Sequence, residues 1–323
     1  MKHFESFLAP RLNEFITYRQ HLGYSIKPIR SRLLRFDRYV KDKKIEPGVL
    51  RPSFFLEFRN TLKLEPISIN GMLGTVRVFF NFLVRRGDYP ANPLKDIPPV
   101  PEHPFAPFIF SPEQTGHIIE AVCKRIRIEP KYYLKDLSEY MAIVLLARCG
   151  LRIREPLRLK IHHYRSRERT VYIEKTKFNK DRLIPVPKSV ALELDNYLSV
   201  RNTFITDQNP YLFVRNRQNG LSEARLRLLF HRAVHDIGLD RPRQVIGRMI
   251  FASPTPHSLR HSFAVNTLKR IKDRGDCPQH ALPVLATYMG HRIYQYTANY
   301  LKFIDAEQRK GLLDFVVFKK EDI

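Results

Sequence analysis

The chain has 323 residues, 43% of them hydrophobic, which is enough for two domains with separate cores. Its 56 Lys and Arg residues against 32 Asp and Glu residues leave a net charge of +24, spread along the whole chain. No apolar run approaches the ~20 residues that span a bilayer, and the N-terminus lacks the apolar segment of a signal peptide. We therefore expect a cytoplasmic protein whose partner is a polyanion, with nucleic acid favoured over a membrane surface.

The cysteines Cys123, Cys149 and Cys277 are widely spaced and include no CxxC pair. This spacing argues against a disulfide framework and against a cysteine zinc site. We expect free, buried thiols and no metal site. The sequence also lacks the glycine-rich motifs that bind nucleotide phosphates, so no cofactor is expected.

Residues 1–88 are predicted to form a small domain of about four helices. Apolar residues at helical spacing indicate a first helix over Phe4–Ile16. Further helices are expected from Pro28, over residues 53–62, and after Pro66. The basic residues of these helices have two open interpretations, a solvated face or a surface for DNA; they are Arg11, Arg19, Lys27, Arg30, Arg32, Arg35, Arg77, Arg85 and Arg86.

Residues 89–107 contain prolines too closely spaced for a regular helix, and we interpret them as an extended linker. A second domain, residues 108–323, then follows. Its first helix begins at Ser111, where Ser111 and Gln114 have the spacing of a capping box.

The next helix, over Tyr140–Cys149, is apolar nearly all round, as a buried central helix should be, and ends at Gly150. Arg152 follows in a turn against this core, where a guanidinium needs an anionic partner. That partner is either Glu155, in a salt bridge, or a phosphate, with Glu155 holding the arginine in place.

Two alternating segments, Thr170–Glu174 and Arg182–Val186, predict a β-hairpin with a lysine-rich tip at Lys175–Asp181. Such a tip is either solvated or enters a DNA groove and offers an ammonium group to a leaving oxygen. Helices are expected over residues 189–202 and 222–237. The second carries Arg225, Arg227 and Arg232, which could contact a DNA backbone.

The most informative stretch runs from residue 257 to residue 300. It holds His257, Arg260 and His261 on one predicted helix, then His291 and Tyr300. Each of these side chains has an ordinary packing or surface role as its alternative. Together they form a set in which every member can contact a phosphate.

In this order, the motifs resemble the tyrosine recombinase, or phage integrase, family. The resemblance is carried by Gly150–Glu155, Lys177–Arg182, His257–His261 and Gly290-His291, with Tyr300 nine residues later. It implies a mainly α fold with a small antiparallel β-sheet. The expected arrangement is a two-domain C-shaped clamp, with an N-terminal four-helix core-binding domain and an α+β catalytic domain.

The sequence departs from the family pattern at two places. Arg154 and Pro156 replace a small polar residue and a leucine near the first arginine, which a first helical turn tolerates. The interval from Arg260 to Gly290 is longer than in Xer-like members. This interval favours recombinases of mobile elements over chromosome-dimer resolvers.

The resemblance implies a nucleophile and the groups that bind its target. Tyr300 attacks a DNA phosphodiester and leaves a 3′-phosphotyrosine and a free 5′-hydroxyl. Arg152 and Arg260 neutralise the charge that develops on the phosphate oxygens, and His291 adds a third donor.

Proton transfer falls to other residues. Lys177 is expected to protonate the departing 5′-oxygen, and His257 to take or share the proton of Tyr300. Glu155 and His261 are expected to support the site. The covalent bond conserves the phosphodiester energy, so neither ATP nor a metal is expected.

Assembly is also implied: a tetramer on double-stranded DNA with paired sites, which can include sister recombinases. Residues 304–318 are interpreted as a tail helix, packed on its own domain or docked in a neighbouring protomer. Alternatives remain open for the activity: a type IB topoisomerase, a catalytically inactive accessory DNA-binding protein and a metal-dependent nuclease. The target sequence and the direction of recombination do not follow from the residues.

Overall fold

The structure is a computed structural model. It describes residues 3–45, 50–174, 181–205, 209–291 and 293–303. The chain divides after Pro104 into two compact units. Lys177 and the predicted tail helix at residues 304–318 lie outside the described residues.

The first unit contains helices α1 (Ala9–His21), α2 (Ile26–Asp42), α3 (Pro52–Thr61) and α4 (Pro66–Arg85). These helices confirm the mainly helical prediction, with two shifts. The apolar residues before Ala9 precede α1 instead of belonging to it, although Phe4 and Leu8 are buried. Helix α2 begins at Ile26, two residues before the expected proline, and Ser25 ahead of it has an extended backbone.

Phenylalanine rings fill the core of this unit. Phe36 packs against Phe55, Phe58 and Phe80 with ring centroids 5.4–6.2 Å apart. Since buried aromatic rings contribute large apolar areas, these contacts hold α2, α3 and α4 together. The buried carboxylate of Asp37 accepts hydrogen bonds from Glu5 N and from Ser6 N and Oγ, which fastens the N-terminal segment to α2.

Within the part of the chain that the structure describes, α4 is the one helix whose length and mean hydropathy of 1.4 would allow a membrane span. Its apolar face lies in the core of the helical unit, where Val76, Phe79, Phe80 and Leu83 are fully buried. A core helix meets the same criterion of length and composition, and the packing of α4 is of that kind.

The proline-rich segment is not an extended linker throughout, which corrects the prediction for residues 89–107. Tyr89, Leu94 and Ile97 are buried in the core of the helical unit. Arg77 on α4 donates hydrogen bonds to Leu94 O (3.1 Å) and Ile97 O (2.9 Å). This arginine therefore holds the segment against α4, and its guanidinium is engaged inside its own unit.

The second unit is mixed α and β. Its strands are β1 (Phe105–Ala106), β2 (Tyr164–Arg165), β3 (Thr170–Ile173), β4 (Arg182–Pro185), β5 (Gln244–Ile246) and β6 (Met249–Phe251). Its helices are α5 (Pro112–Cys123), α6 (Pro130–Arg148), α7 (Lys188–Phe204), α8 (Glu223–Asp236), α9 (Pro256–Asp273), α10 (Pro278–Met289) and α11 (Gln295–Ala298).

The strands form two small sheets. One is antiparallel with the order β2-β3-β4, and it contains the predicted hairpin, in which Tyr172 pairs with Leu183. The other has the order β1-β6-β5, with β1 parallel to β6 and β5 antiparallel to it. The sequence did not predict this second sheet, because β1 has two residues and pairs with a strand 145 positions away.

Helix α6 is the central helix of the second unit, as predicted, and nearly all of its second half is buried. Ser111 and Gln114 form the predicted capping box at the start of α5. The prediction of buried cysteines was wrong for Cys123 and Cys277, which are exposed free thiols near helix ends; Cys149 is buried and free. After Arg152 the chain forms a single 3₁₀ turn, Pro156–Arg158.

Candidate active site

Arg152 lies in the turn that follows α6. Its Nη1 donates to Glu155 Oε1 and its Nη2 to the carbonyl oxygen of Gly290, both at 2.9 Å. The turn exists because Gly150 adopts a left-handed conformation (φ +60°), where a Cβ would lie 2.4 Å from the ring of Phe263. Gly150 therefore ends α6 in a sharp turn, which places Arg152 beside the end of α10.

Glu155 is a buried carboxylate shared by two arginines. Besides Arg152, it accepts Nη1 and Nη2 of Arg182 at 3.0 and 2.9 Å. Burial favours the neutral acid, but the hydrogen bonds and charge of Arg182 outweigh it and hold the pKa of Glu155 below its ordinary value. The carboxylate is therefore ionised at neutral pH and fixes both guanidinium groups.

Three consecutive carbonyl groups at the C-terminal end of α10 each accept from a different arginine. Tyr288 O accepts from Arg182 Nε at 2.8 Å, Met289 O from Arg260 Nη2, and Gly290 O from Arg152 Nη2 at 2.9 Å. The unpaired carbonyls of a helix C-terminus carry partial negative charge, which favours cations there. The end of α10 thereby gathers three arginines into one cluster.

Arg260 is 1% exposed and lies on the first turns of α9. Its Nη1 donates to Gly150 O at 2.7 Å, so it bridges the end of α6 to the end of α10. Burial and the nearby Arg152 lower the pKa of Arg260, because both oppose its positive charge. An anion placed beside these two guanidinium groups would relieve that opposition.

Three histidines lie in the same site, and all are expected to be neutral at pH 7. Burial is the largest cause in each case, and neighbouring cations act in the same direction. The pKa falls to about 4 for His257, about 3 for His261 and about 4 for His291. His291 Nδ1 is hydrogen bonded to Thr297 Oγ1 at 2.7 Å, which orients the ring.

Tyr300 follows α11 and is 5% exposed. Its hydroxyl lies 2.9 Å from Nδ1 of His261, and its ring centroid is 6.3 Å from that of His291. Burial raises the pKa of Tyr300, although Arg260 and Arg152 oppose the rise. Tyr294 and Tyr296, on the same short segment, are 48% and 56% exposed.

The structure thus brings together seven of the eight residues that the sequence singled out; the eighth, Lys177, lies outside the described residues. His257 contacts the ring of His261, with centroids 4.5 Å apart, and the described hydrogen bond of the Tyr300 hydroxyl goes to His261. Sequence reasoning gave no site role to Arg182 or Thr297. The signals for Arg182 were its position directly after the hairpin tip and its place at the end of the Lys177–Arg182 motif.

Among the residues that the structure describes, no group of three or more His, Cys, Asp and Glu side chains is arranged to hold a metal ion. The polar groups that converge in the site are guanidinium, imidazole and phenol, with the Glu155 carboxylate and the Thr297 hydroxyl holding some of them in place. These groups are suited to binding an oxyanion and to transferring protons beside it.

Known proteins are similar to this chain over most of its length. Residues 111–307 match the model of the phage integrase family. A protein of Sinorhizobium fredii, provisionally named an integrase/recombinase, is 30% identical over 311 residues, which cover 93% of each chain. The tyrosine recombinase XerA of Pyrococcus furiosus is 27% identical over 95% of this chain and 96% of its own.

Solved structures show the same fold. The Tn1549 transposon integrase in complex with transposon right end DNA is similar with a TM-score of 0.64 and 19% identity, covering 93% of this chain and 98% of that one. The XerH recombinase in a post-cleavage complex with palindromic difH DNA has a TM-score of 0.67 and 18% identity, covering 93% and 83%. Both confirm the predicted two-domain, mainly helical fold class.

Proposed function

The chain belongs to the phage integrase family of site-specific recombinases, and we propose that it cleaves and rejoins DNA through a 3′-phosphotyrosine at Tyr300. The observation that carries this proposal is the arginine cluster at the end of α10, with a buried tyrosine beside it. A phosphodiester is the substrate whose charge these guanidinium groups match.

Phosphate binding is assigned to Arg152 and Arg260. Glu155 and the carbonyls at the end of α10 each occupy part of the guanidinium groups, and the remaining N–H groups are free to donate to the non-bridging oxygens. Because the arginines are held before substrate arrives, they stabilise the charge that develops in the transition state without reorganising.

His291 is proposed as the third donor. If Thr297 donates its hydroxyl hydrogen to Nδ1, the neutral imidazole carries its proton on Nε2, where it can donate to the phosphate. Thr297 would then set the tautomer of His291, in the way that second partners orient histidines at other sites.

The covalent step exchanges one ester for another. The Tyr300 oxygen bonds to phosphorus, the bond from phosphorus to the 5′-oxygen breaks, and Lys177 protonates that oxygen. Rejoining reverses the step with a 5′-hydroxyl from another strand. We propose that no ATP and no metal are required, since the phosphotyrosine keeps the phosphodiester energy.

The biological setting is proposed to be movement of a mobile element, by integration, excision or transposition. Support comes from the integrase/recombinase relative and from the long interval between Arg260 and Gly290. The protein would act in the cytoplasm on paired duplex sites as a tetramer, with the tail beyond residue 303 docking in trans. A lambda integrase tetramer bound to a Holliday junction shares the fold at 15% identity.

Covalent trapping tests the proposal. A duplex is selected by the protein from a randomised DNA pool, and oligonucleotides nicked at successive positions of it are incubated with protein in EDTA. We expect a denaturation-resistant protein–DNA band that disappears in Tyr300→Phe and persists in Tyr294→Phe and Tyr296→Phe. Binding without a band would favour the accessory DNA-binding alternative, and cleavage that needs Mg²⁺ without a band would favour a nuclease.

A further inference from the structure

The hydroxyl of the proposed nucleophile has one described hydrogen-bond partner, and it is not the histidine that the motif suggests. Tyr300 Oη lies 2.9 Å from His261 Nδ1. We propose that His261 is the catalytic residue that takes the proton of Tyr300 during attack and returns it during rejoining. This inference rests on the proposed function and names a proton acceptor within it.

The placement follows from α9. His257 and His261 lie one helical turn apart on the same face, with their rings 4.5 Å apart in an edge-to-face contact. The Tyr300 ring lies against His261 at 5.7 Å, on the apolar side formed by Ala264, Val265 and Leu268. Among the described contacts, His257 touches His261 and His261 touches Tyr300, which makes His261 the histidine next to the phenol.

The proton balance is complete with these groups. As the Oη–phosphorus bond forms, the phenol proton moves to Nδ1 of the neutral imidazole of His261, while the departing 5′-oxygen receives its proton from Lys177. In the reverse step the imidazolium returns the proton to the phenolate, and Lys177 accepts one from the attacking 5′-hydroxyl. No further reactant is needed.

DNA itself would make His261 a better base. Without DNA, burial, His257, Arg260 and His291 all disfavour a charged imidazole at this position, and Arg152 adds to the positive charge of the site. A phosphodiester brought between the arginines adds a negative charge close to His261. Because an opposite charge within a few ångströms favours the protonated form, proton transfer becomes easier only when the substrate is in place.

The test uses a substrate in which sulfur replaces the bridging 5′-oxygen of the scissile phosphate. A thiolate leaves without a proton, so this substrate removes the need for Lys177 and keeps the need to deprotonate Tyr300. We expect Lys177→Ala to regain adduct formation on it, and His261→Ala to remain slow by ~10²–10⁴-fold. The exposed His280 offers a matched control, His280→Ala, which should behave like the unchanged protein.

A second variant separates proton transfer from positioning. In His261→Asn the amide oxygen can accept the hydrogen bond near the place of Nδ1 but cannot take the proton. We expect it to stay slow and to accelerate with rising pH, and we expect added imidazole to accelerate His261→Ala. Wild-type rates in His261→Asn, or rescue of His261→Ala by the sulfur substrate, would overturn the inference.

Folding and the proposed function are checked separately. Binding of the selected duplex by each variant reports the fold, and imidazole rescue of His261→Ala reports chemistry even if binding is weakened. If the unchanged protein gave no adduct that depends on Tyr300, the proposed function itself would fail, and that result is distinct from a fast His261→Asn.

A second, independent inference concerns two cavities beside the N-terminal half of α6. Two adjoining cavities of about 490 and 630 Å³ lie between α5, α6 and α8 and share Arg127, Glu139 and Arg225 in their walls. Seven Lys and Arg side chains line them, against the carboxylates of Asp136 and Glu139. We infer that these cavities bind backbone phosphates of duplex DNA.

Charge and preorganisation support this ligand. Asp136 and Glu139 are buried and hold Arg127, Lys135 and Arg225 at 2.7–3.2 Å. Two further lining cations, Lys124 and Arg125, pair with Glu120 and Asp236. Even so, positive charges exceed negative ones by three. One excess charge arises because three cations share Asp136 and Glu139, and two arise because Arg215 and Arg232 have no side-chain partner among the described residues.

The cavities lie near the active site, as measured along α6. From Glu139 to the end of α6 the helix extends about 14 Å at 1.5 Å per residue, and Arg152 follows directly. Phosphates on one strand of B-DNA recur every ~3.4 Å along the axis. The cavities are therefore close enough to Arg152 for one bound duplex to contact both.

The salt dependence of binding tests this surface. For Arg215→Ala/Arg232→Ala, loss of two phosphate contacts should lower the slope of log K against log salt by ~1.8 and weaken binding about tenfold at low salt. The control Arg167→Ala/Arg241→Ala removes two exposed arginines elsewhere and should leave the slope unchanged. Equal slopes in both variants would overturn the inference. The trapping assay with Tyr300→Phe judges the proposed function independently.

Discussion

At the scale of single residues, the buried carboxylate of Glu155 has the largest predicted effect on stability. It pairs with both Arg152 and Arg182 in a place where little water is available. Removing one member of a buried ion pair leaves an uncompensated charge, which costs far more than the pair contributes. The site and the fold therefore depend on the same side chain.

Glu155→Gln should lower the free energy of unfolding by about 3–5 kcal/mol and abolish adduct formation. Glu223 is a matched control, because it also pairs with two arginines, Arg154 and Arg227, but at a more exposed position. Glu223→Gln should cost about 1 kcal/mol or less. Urea unfolding measures both; equal losses would mean that burial of the Glu155 cluster adds nothing to stability.

The histidine cluster predicts a dependence of stability on pH. The pKa of His257, His261 and His291 lies below the ordinary value of 6.5 in the folded protein. Below pH 6.5 the unfolded chain therefore binds more protons than the folded one, so stability falls as pH falls from 6.5 toward 4. Urea unfolding at pH 7 and pH 5 should show this loss, and His261→Asn should lose less than the unchanged protein. An identical loss in both would contradict the assignment of a buried neutral imidazole.

At the scale of elements, the end of α10 organises the arginines, and Gly290 makes that end possible. Gly290 has φ +65°, and a Cβ there would lie 3.1 Å from Arg182 Nη1. Gly275 offers a matched comparison, because its φ is +88° and a Cβ would meet nothing within 4 Å. The two glycines share the strain of a left-handed backbone and differ in what surrounds them.

Gly290→Ala and Gly275→Ala should each lose about 1 kcal/mol of stability, since alanine is strained in the left-handed region. Only Gly290→Ala should also reduce adduct formation, because Arg182 must move and the carbonyls of α10 move with it. Thermal unfolding and the trapping assay measure the two effects. Full activity in Gly290→Ala would show that the site tolerates a shift of this helix end.

The helices and strands could be predicted well from patterns among neighbouring residues. The contacts between residues far apart in the sequence could not be predicted in this way. The capping box at Ser111, the stop at Gly150 and the hairpin of β3 and β4 depend on neighbouring residues, so their chemistry is visible in the sequence. The contact of Arg182 with Glu155 and that of His261 with Tyr300 join residues 27 and 39 positions apart. The spacing of the motifs in the sequence marks such residues as candidates for one site. It does not determine which of their atoms make contact.

At the scale of the whole molecule, the positive charge is divided between both units. Residues 1–104 hold 18 Lys and Arg residues against 10 Asp and Glu residues, and residues 105–323 hold 38 against 22. Each unit also has its own buried core. A folded unit with this excess repels itself less when it binds a polyanion, so both units should contribute to DNA affinity.

A fragment of residues 105–323 should therefore fold, as circular dichroism can report, and bind the selected duplex more weakly than the full chain. Its slope of log K against log salt should be smaller, by ~0.9 for each phosphate that the helical unit neutralises. Fluorescence anisotropy at several salt concentrations measures both slopes. If the slopes were equal, the basic residues of α1, α2 and α4 would form a solvated face, and all DNA contacts would belong to the unit that contains Tyr300.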